Sequence, residues 1–149
     1  MDASGNVLWH KTYGGSDQEA VTALAALPDG GVLVAGQSRS GISGDKTQPV
    51  VGPNQAAEDY WLLRLDSAGN ILWDKTLGGF DYEQLNAITL TNDGNFVIAG
   101  STRSSNSGDK TGVNRNPTGS TYDIWALKLD LSGNVIWQKT IGGAGHDSA

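Results

Sequence analysis

The sequence lacks cysteine, has only two histidines and contains no long apolar run. The absence of cysteine excludes disulfides and thiolate metal sites. No apolar stretch approaches the roughly 20 residues of a membrane-spanning helix, so we expect no membrane insertion. His10 and His146 do not occupy equivalent positions, and they suggest neither a metal site nor a catalytic triad.

Basic charge is also scarce, with 10 Lys and Arg against 16 Asp and Glu and a net charge of −6. This balance argues against a nucleic-acid partner, because phosphates require a basic face. No segment has a sustained 3.6-residue apolar period, which excludes a helical solenoid. The 21 glycines instead favour an all-β protein with many tight turns.

What the sequence does have is a repeat of 64 residues without gaps. The repeat is marked by tryptophans, aspartates and Gly-Gly pairs at equal spacing: Trp9, Trp73 and Trp137; Asp2, Asp66 and Asp130; Gly14, Gly78 and Gly142. Such a period identifies an architecture before any single residue identifies a chemistry. It also indicates that most conspicuous residues are parts of a repeated framework rather than a catalytic set.

Each repeat contains four predicted strands. In the first repeat they cover 20–27, 32–36, 60–65 and Ile71–Leu77. The counterparts of the first three in the second repeat cover 84–91, 96–100 and 124–129. An Asp-Gly turn joins the first two strands of each repeat, which is a strong hairpin signal. Four antiparallel strands in tandem predict the blades of an open β-propeller fragment, and a β-sandwich built by duplication is the alternative.

The repeat boundaries divide the chain into four parts. Residues 1–13 form a turn and an orphan outer strand, 14–77 and 78–141 form two blades, and 142–149 begin a third repeat. Two blades cannot close a ring, so we expect a piece of a longer protein in which further blades are the neighbours. The alternative is a homotrimer, since three copies contain about seven repeats' worth of sequence.

Two blocks of sequence carry a family resemblance: DYWLLRLDSAGNILWDKTLGG and NDGNFVIAGSTRSSNSGDKTG. They resemble the tandem repeats of large secreted Bacteroidetes-type proteins, which often have a sorting domain for type IX secretion. The resemblance implies a secreted or cell-surface protein with propeller-like repeats. A weaker likeness to quinoprotein-type propellers rests on Asp66, Gly69 and Trp73 and their copies, and it implies a tryptophan that docks between blades.

All five tryptophans occupy repeated positions. Trp9, Trp73 and Trp137 lie on the predicted fourth strand, whereas Trp61 and Trp125 lie on the third. Exposed indoles can stack on sugars, but a ring repeated in every blade is better explained by packing between blades. We therefore predict that Trp73 is shielded from solvent by the following blade.

The long connections are predicted to gather acids on one face of the repeats, which is where binding usually occurs on a rigid scaffold. The candidate binding residues of this loop face are Asp17, Glu19, Asp45, Lys46, Asp81, Glu83, Asp109 and Lys110. Clustered carboxylates suit Ca²⁺, whereas recurrence in each repeat favours acids that cap turns or pair with lysine. The non-repeated stretches 48–57 and 112–121 add Arg115 but no acid.

No catalytic constellation is visible, and the same acids recur in both repeats. The sequence therefore predicts a non-enzymatic repeat module of an exported bacterial protein, either a structural spacer or a surface that binds protein or glycan. The alternative is a fragment of a propeller enzyme, a quinoprotein-like dehydrogenase or a glycoside-acting hydrolase.

Overall fold

Two four-stranded antiparallel sheets make up the computed structural model, which describes residues 4–53, 57–116 and 121–149. Sheet 1 contains four strands in sequential order: β1 (Glu19–Ala26), β2 (Val32–Ser38), β3 (Asp59–Leu65) and β4 (Ile71–Leu77). Sheet 2 repeats this order with β5 (Glu83–Leu90), β6 (Phe96–Thr102), β7 (Asp123–Leu129) and β8 (Val135–Ile141). The described residues contain no helix that is long and apolar enough to cross a membrane.

The turns between strands form where the sequence supplies glycine and aspartate. Gly69 adopts a φ of 77°, in the left-handed region that favours glycine, and the Asp66 Oδ1 atom accepts hydrogen bonds from the Ala68 and Asn70 amides. The same turn recurs between β7 and β8, where Asp130 Oδ1 accepts the Asn134 amide. The same Asp, Gly and Asn positions thus build the same turn in both sheets.

The predicted all-β class and the eight central strands are confirmed. β4 spans the predicted residues, and the other boundaries shift by one or two residues. β2 is longer than predicted because Gln37 and Ser38 continue the pairing with Tyr60 and Asp59. The centres of the two non-repeated stretches, 54–56 and 117–120, lie outside the described residues.

One face of sheet 1 packs against sheet 2 in a single apolar core. Tyr60 and Leu62 of β3 meet Trp125 and Leu127 of β7, and all four side chains are buried. The rings of Tyr60 and Trp125 stack with their centroids 5.2 Å apart. Since side chains alternate along a strand, the intervening residues Trp61, Leu63 and Leu65 form a second cluster on the opposite face of sheet 1, where Tyr13 covers it.

The orphan outer strand predicted within 1–13 stays a prediction, because its partner strands would belong to another repeat. No strand is present in 4–13, and 1–3 lie outside the described residues. A strand needs a neighbour to supply its ladder of hydrogen bonds, and among the described residues no strand forms a ladder with this segment. Gly5, in the predicted turn, has a φ of 84°, close to the 77° of Gly69 and the 83° of Gly133.

Candidate functional site

The Gly-Gly turns that precede β1 and β5 are the centres of the predicted loop face. Glu19 Oε2 accepts the Gly15 amide at 3.1 Å, and Glu83 Oε2 accepts the Gly79 amide at 2.9 Å. A third copy follows β8, where Asp147 Oδ2 accepts the Gly143 amide at 2.7 Å. In each repeat the acid four residues beyond the glycine therefore closes its own turn.

A second acid ties the long connection of each repeat to the same turn. Asp45 Oδ2 accepts the Gly14 amide at 3.1 Å, and the Asp45 amide donates to the Gly14 carbonyl at 2.9 Å. Asp109 and Gly78 form the same reciprocal pair at 3.2 and 2.8 Å. The structure thus brings the two predicted loops of each repeat together, and their acids bind backbone amides.

The carboxylates of the remaining two acids, Asp17 and Asp81, do not bind the Gly-Gly turns. Asp17 Oδ1 accepts the neighbouring Gln18 amide, and Asp81 Oδ1 accepts the Tyr82 amide. Asp81 also lies 3.9 Å from Arg103 Nε. Since no Gly-Gly turn depends on their carboxylates, these two acids are the candidates best placed to meet a ligand.

The two lysines predicted on the loop face are instead buried between strands. Lys46 Nζ donates to the Gln48 carbonyl at 2.8 Å and to the Thr76 hydroxyl. Lys110 Nζ donates to the Gly112 carbonyl and to Asn114 Oδ1. Burial lowers the pKa of both ammonium groups, for Lys110 to about 8. They stabilise the connections from inside and do not face a ligand.

A buried carboxyl pair joins the two sheets, and sequence reasoning identified only one of its members. Asp59 begins β3, Glu83 begins β5, and both are fully buried. The Glu83 amide donates to the Glu58 carbonyl at 2.7 Å, which fixes the two strand starts together. Burial raises the pKa of Asp59 to about 8, and the nearby Glu83 charge acts in the same direction. The pKa of Glu83 is also raised by burial.

In each of the last two Gly-Gly turns, the first glycine leaves room for a buried aspartate. A Cβ atom on Gly78 would lie 1.9 Å from Asp59 Oδ1, which no real contact allows. A Cβ atom on Gly142 would meet Asp123, the repeat counterpart of Asp59, at 2.4 Å. Recurrence of Asp59 and Asp123 just before the third strand was the sequence signal that could have revealed the pair.

The fourth-strand indoles dock on the following sheet. Trp73 is half-buried, and its Nε1 atom donates to the Leu131 carbonyl in the β7–β8 turn at 3.0 Å. Trp9 Nε1 donates to the Ser67 carbonyl at 2.9 Å, which is the equivalent contact one repeat earlier. No sheet follows Trp137 among the described residues, and Trp137 is 39% exposed. The predicted packing of Trp73 is confirmed.

The described residues contain no group of three or more His, Asp or Glu arranged to hold a metal ion. The carboxylates of the loop face are separated by the turns that they cap, so their oxygens do not converge on one point. Since calcium needs six to eight oxygen ligands, a site here would have to recruit carbonyls and water. The calcium hypothesis stays a prediction, without support from this geometry.

A groove of about 290 Å³ runs between the N-terminal segment 4–13 and the outer face of sheet 1. Its walls are mainly apolar and include Tyr13, Val21, Val34, Trp61 and Leu63. In sheet 2 the positions equivalent to Val34, Trp61 and Leu63 are Ile98, Trp125 and Leu127, which are buried against sheet 1. The groove is therefore an uncovered part of a surface that packs against a sheet in the other repeat.

Comparison with known proteins adds one relative, and no family model matches the chain. Over 122 residues, or 81% of the chain, the sequence is 30% identical to regulatory protein FlaEY of Caulobacter vibrioides. The matched part amounts to 13% of that protein. The chain is thus similar to a short part of a much longer bacterial protein.

Proposed function

We propose that the chain is a non-enzymatic tandem-repeat module, an open fragment of a β-propeller that serves as a scaffold. The observation that carries this proposal is the recurrence of the same polar contacts in successive repeats. Glu19, Glu83 and Asp147 each accept the amide of a glycine four residues earlier. A catalytic residue is usually needed once, whereas a residue that holds a turn is needed in every repeat.

The burial of sheet 1 favours a propeller over a sandwich. In a β-sandwich each sheet has one inner apolar face and one outer polar face. In β3, by contrast, Tyr60 and Leu62 pack against sheet 2, while Trp61 and Leu63 are buried on the other face. A sheet with two apolar faces belongs between two neighbours, as a blade does.

Export to the cell surface is part of this proposal and rests on the resemblance to secreted bacterial repeat proteins. The similarity to a short part of FlaEY supports a role as one module within a larger bacterial protein. The regulatory role in that protein's name is not carried over, because no site residue links it to this chain.

The loop face is the part of the module that we propose for binding a protein or a glycan. Asp17 is exposed there, and Asp81 is half-buried beside Arg103. The non-repeated stretches lie in the same connections, so they can differ between repeats without disturbing the strands. The net charge of −6 disfavours nucleic acid as the ligand.

Thermal unfolding of Asp109→Ala tests the scaffold role. Removing this carboxylate leaves the Gly78 amide without its acceptor, so we expect a loss of about 1–2 kcal/mol in the free energy of unfolding. For a chain of this size the melting temperature should fall by about 3–6 °C. Asp45→Ala, its repeat counterpart, should act in the same direction.

A binding role for these acids would give the opposite result. Acids kept for a ligand are commonly held at a cost to stability, so their removal raises the melting temperature. A rise for Asp109→Ala, or no change for both variants, would therefore contradict the scaffold role. Asp17→Ala is the control, because Asp17 Oδ1 accepts only the adjacent Gln18 amide.

A further inference from the structure

The two repeats place an arginine in the same backbone frame on the loop face. The Arg39 amide donates to the Gln18 carbonyl at 3.0 Å, and the Arg103 amide donates to the Tyr82 carbonyl at 2.8 Å. Each arginine follows the second strand of its repeat, where the long connection begins. The two arginines are therefore equivalent in position, and any difference between their surroundings comes from side chains.

In the first repeat the arginine holds a carboxylate of its own chain. Arg39 Nε donates to Glu58 Oε1 at 3.0 Å, and Arg39 Nη2 lies 2.8 Å from the same oxygen. Glu58 precedes β3, and the residue at its place in the second repeat is Tyr122. Arg103 therefore lacks the internal partner that Arg39 has.

Two tyrosines flank Arg103 instead. Its Cζ atom lies 5.7 Å from the ring centre of Tyr82 and 5.9 Å from that of Tyr122. Aromatic rings attract a guanidinium but accept none of the strong hydrogen bonds that a carboxylate accepts. Arg103 Nε is buried without an acceptor among the described residues, and Asp81 Oδ2 lies 3.9 Å from it, which is too far for a hydrogen bond. The tyrosines thus hold the guanidinium in place without satisfying it.

A following repeat does not cover this position. Arg39 is followed by the whole of sheet 2, yet 37% of its side chain is exposed, against 33% for Arg103. His146, the counterpart of Tyr82 in the next repeat, is already in place, with its ring centre 5.9 Å from that of Tyr122. The access to Arg103 is therefore a property of the second repeat itself.

The second repeat is also less acidic here than the first. Tyr122 replaces Glu58, and the exposed Arg115 has an uncharged counterpart. Asn114 Nδ2 donates to the Arg103 carbonyl at 3.0 Å, which brings the neighbouring Arg115 to the same part of the loop face. One negative charge is thus lost and one positive charge is gained, and both changes favour an anionic ligand.

We propose that Arg103, between Tyr82 and Tyr122, binds a carboxylate side chain from an acidic segment of a protein partner. The first repeat is the template, since the equivalent arginine there holds the glutamate side chain of Glu58. A guanidinium presents paired N–H donors that match a carboxylate, and the bonds are charge-assisted. This role rests on the loop face being the binding side of the module, and it assigns a residue and a ligand chemistry to that face.

The acid beside Arg103 does not prevent this binding. Asp81 corresponds to Asp17, and the first repeat accommodates Asp17 together with the ion pair of Arg39 and Glu58. The net charge of −6 repels an acidic segment at long range. We therefore expect weak association that depends on direct contact with Arg103.

An NMR titration of the full chain with a short blocked peptide that contains glutamate tests the proposal. The signals to follow are the Arg103 Nε–H group and the backbone amides of Arg103 and Tyr122, and we expect them to shift to saturation. The same peptide with glutamine in place of glutamate should bind about tenfold more weakly or not at all. Arg103→Gln should weaken binding of the glutamate peptide by a similar factor.

Exchange of side chains between the repeats provides matched variants. Tyr122→Glu gives Arg103 the internal carboxylate of the first repeat, so we expect the affinity for the peptide to fall by about tenfold or more. The double variant Gln18→Tyr/Glu58→Tyr copies the flanking tyrosines to Arg39, and it should bind a second peptide there. Circular dichroism confirms that each variant retains its β-structure.

Equal responses to the glutamate and glutamine peptides would overturn the proposal. Binding that is unchanged in folded Tyr122→Glu and Arg103→Gln would also overturn it, because another surface would then be responsible. Saturation of the same signals by glucuronate at a lower concentration than by the peptide would make an acidic glycan the ligand instead of a protein. A folded parent that binds no peptide would overturn this inference alone, since melting of Asp109→Ala tests the scaffold role separately.

Discussion

Replacing Trp125 with alanine should lower the free energy of unfolding by about 3–5 kcal/mol. Trp125 is fully buried between the two sheets and stacks on Tyr60. Its Nε1 atom also donates to Gln138 Oε1 at 3.0 Å, which links β7 to β8. The substitution would remove the largest fully buried side chain and leave a cavity in the centre of the core. Urea unfolding followed by circular dichroism measures the loss.

Trp61→Ala is the matched control, because Trp61 occupies the same position in the first repeat. Trp61 lies under the N-terminal segment, beside the open groove, and no complete sheet covers it. Its replacement should cost about 2 kcal/mol, clearly less than the replacement of Trp125. Equal losses for the two variants would contradict the packing of sheet 1 against sheet 2 through Trp125.

Stability should fall as the pH rises from about 4 to 8. Burial raises the pKa of Asp59 from 3.8 to about 8, and the pKa of Glu83 is also raised. In this range the folded chain binds protons that the unfolded chain has released, so raising the pH favours unfolding. We expect a loss of at least about 2 kcal/mol, and a fall of roughly 5 °C in melting temperature, between pH 5 and pH 8.

Charged groups around Asp59 and Glu83 limit the pH range over which stability falls. Lys46 opposes the raised pKa of Asp59, and the Glu83 and Asp123 charges partly offset the lowered pKa of Lys110. Since the pKa of Lys110 is lowered to about 8, the unfolded chain binds more protons above that pH and stability should recover. Below about pH 4, protonation of Asp66 and Asp130, whose pKa values are lowered by turn hydrogen bonds, should reduce stability.

Asp59→Asn should remove most of the fall between pH 5 and pH 8, because the amide has no proton to release. The Val51 amide, which donates to Asp59 Oδ2, retains an acceptor in the variant. The parent chain, compared under the same conditions, is the control. Melting curves at several pH values measure both. A parent whose stability is constant from pH 5 to pH 8 would exclude the buried pair as a titrating element.

The strands and their order could be predicted because they depend on local patterns. Alternating apolar residues, Asp-Gly turns and the 64-residue period all act within one repeat, and the two repeats reinforce each other. The segment 4–13 shows the limit of this reasoning. Its sequence matches β4 and β8, yet it forms no strand, because a strand depends on a partner that the local pattern cannot supply.

Part of the loop face could also be predicted from patterns within one repeat. The order of the predicted strands placed the two connections on one side of the sheet, and in the structure Asp45 binds Gly14. The direction of each side chain was not readable from spacing. Lys46 and Lys110 point inward, and the Asp59–Glu83 pair forms only where two repeats meet.

The central claim is that successive repeats pack against each other through their third strands, and the contact between Tyr60 and Trp125 tests it most directly. A double-mutant cycle with Tyr60→Leu and Trp125→Leu measures the coupling between the two rings in urea unfolding. Stacked rings 5.2 Å apart should give a coupling of about 0.5–1.5 kcal/mol. Losses that add without coupling would show that the two sheets do not meet through these side chains.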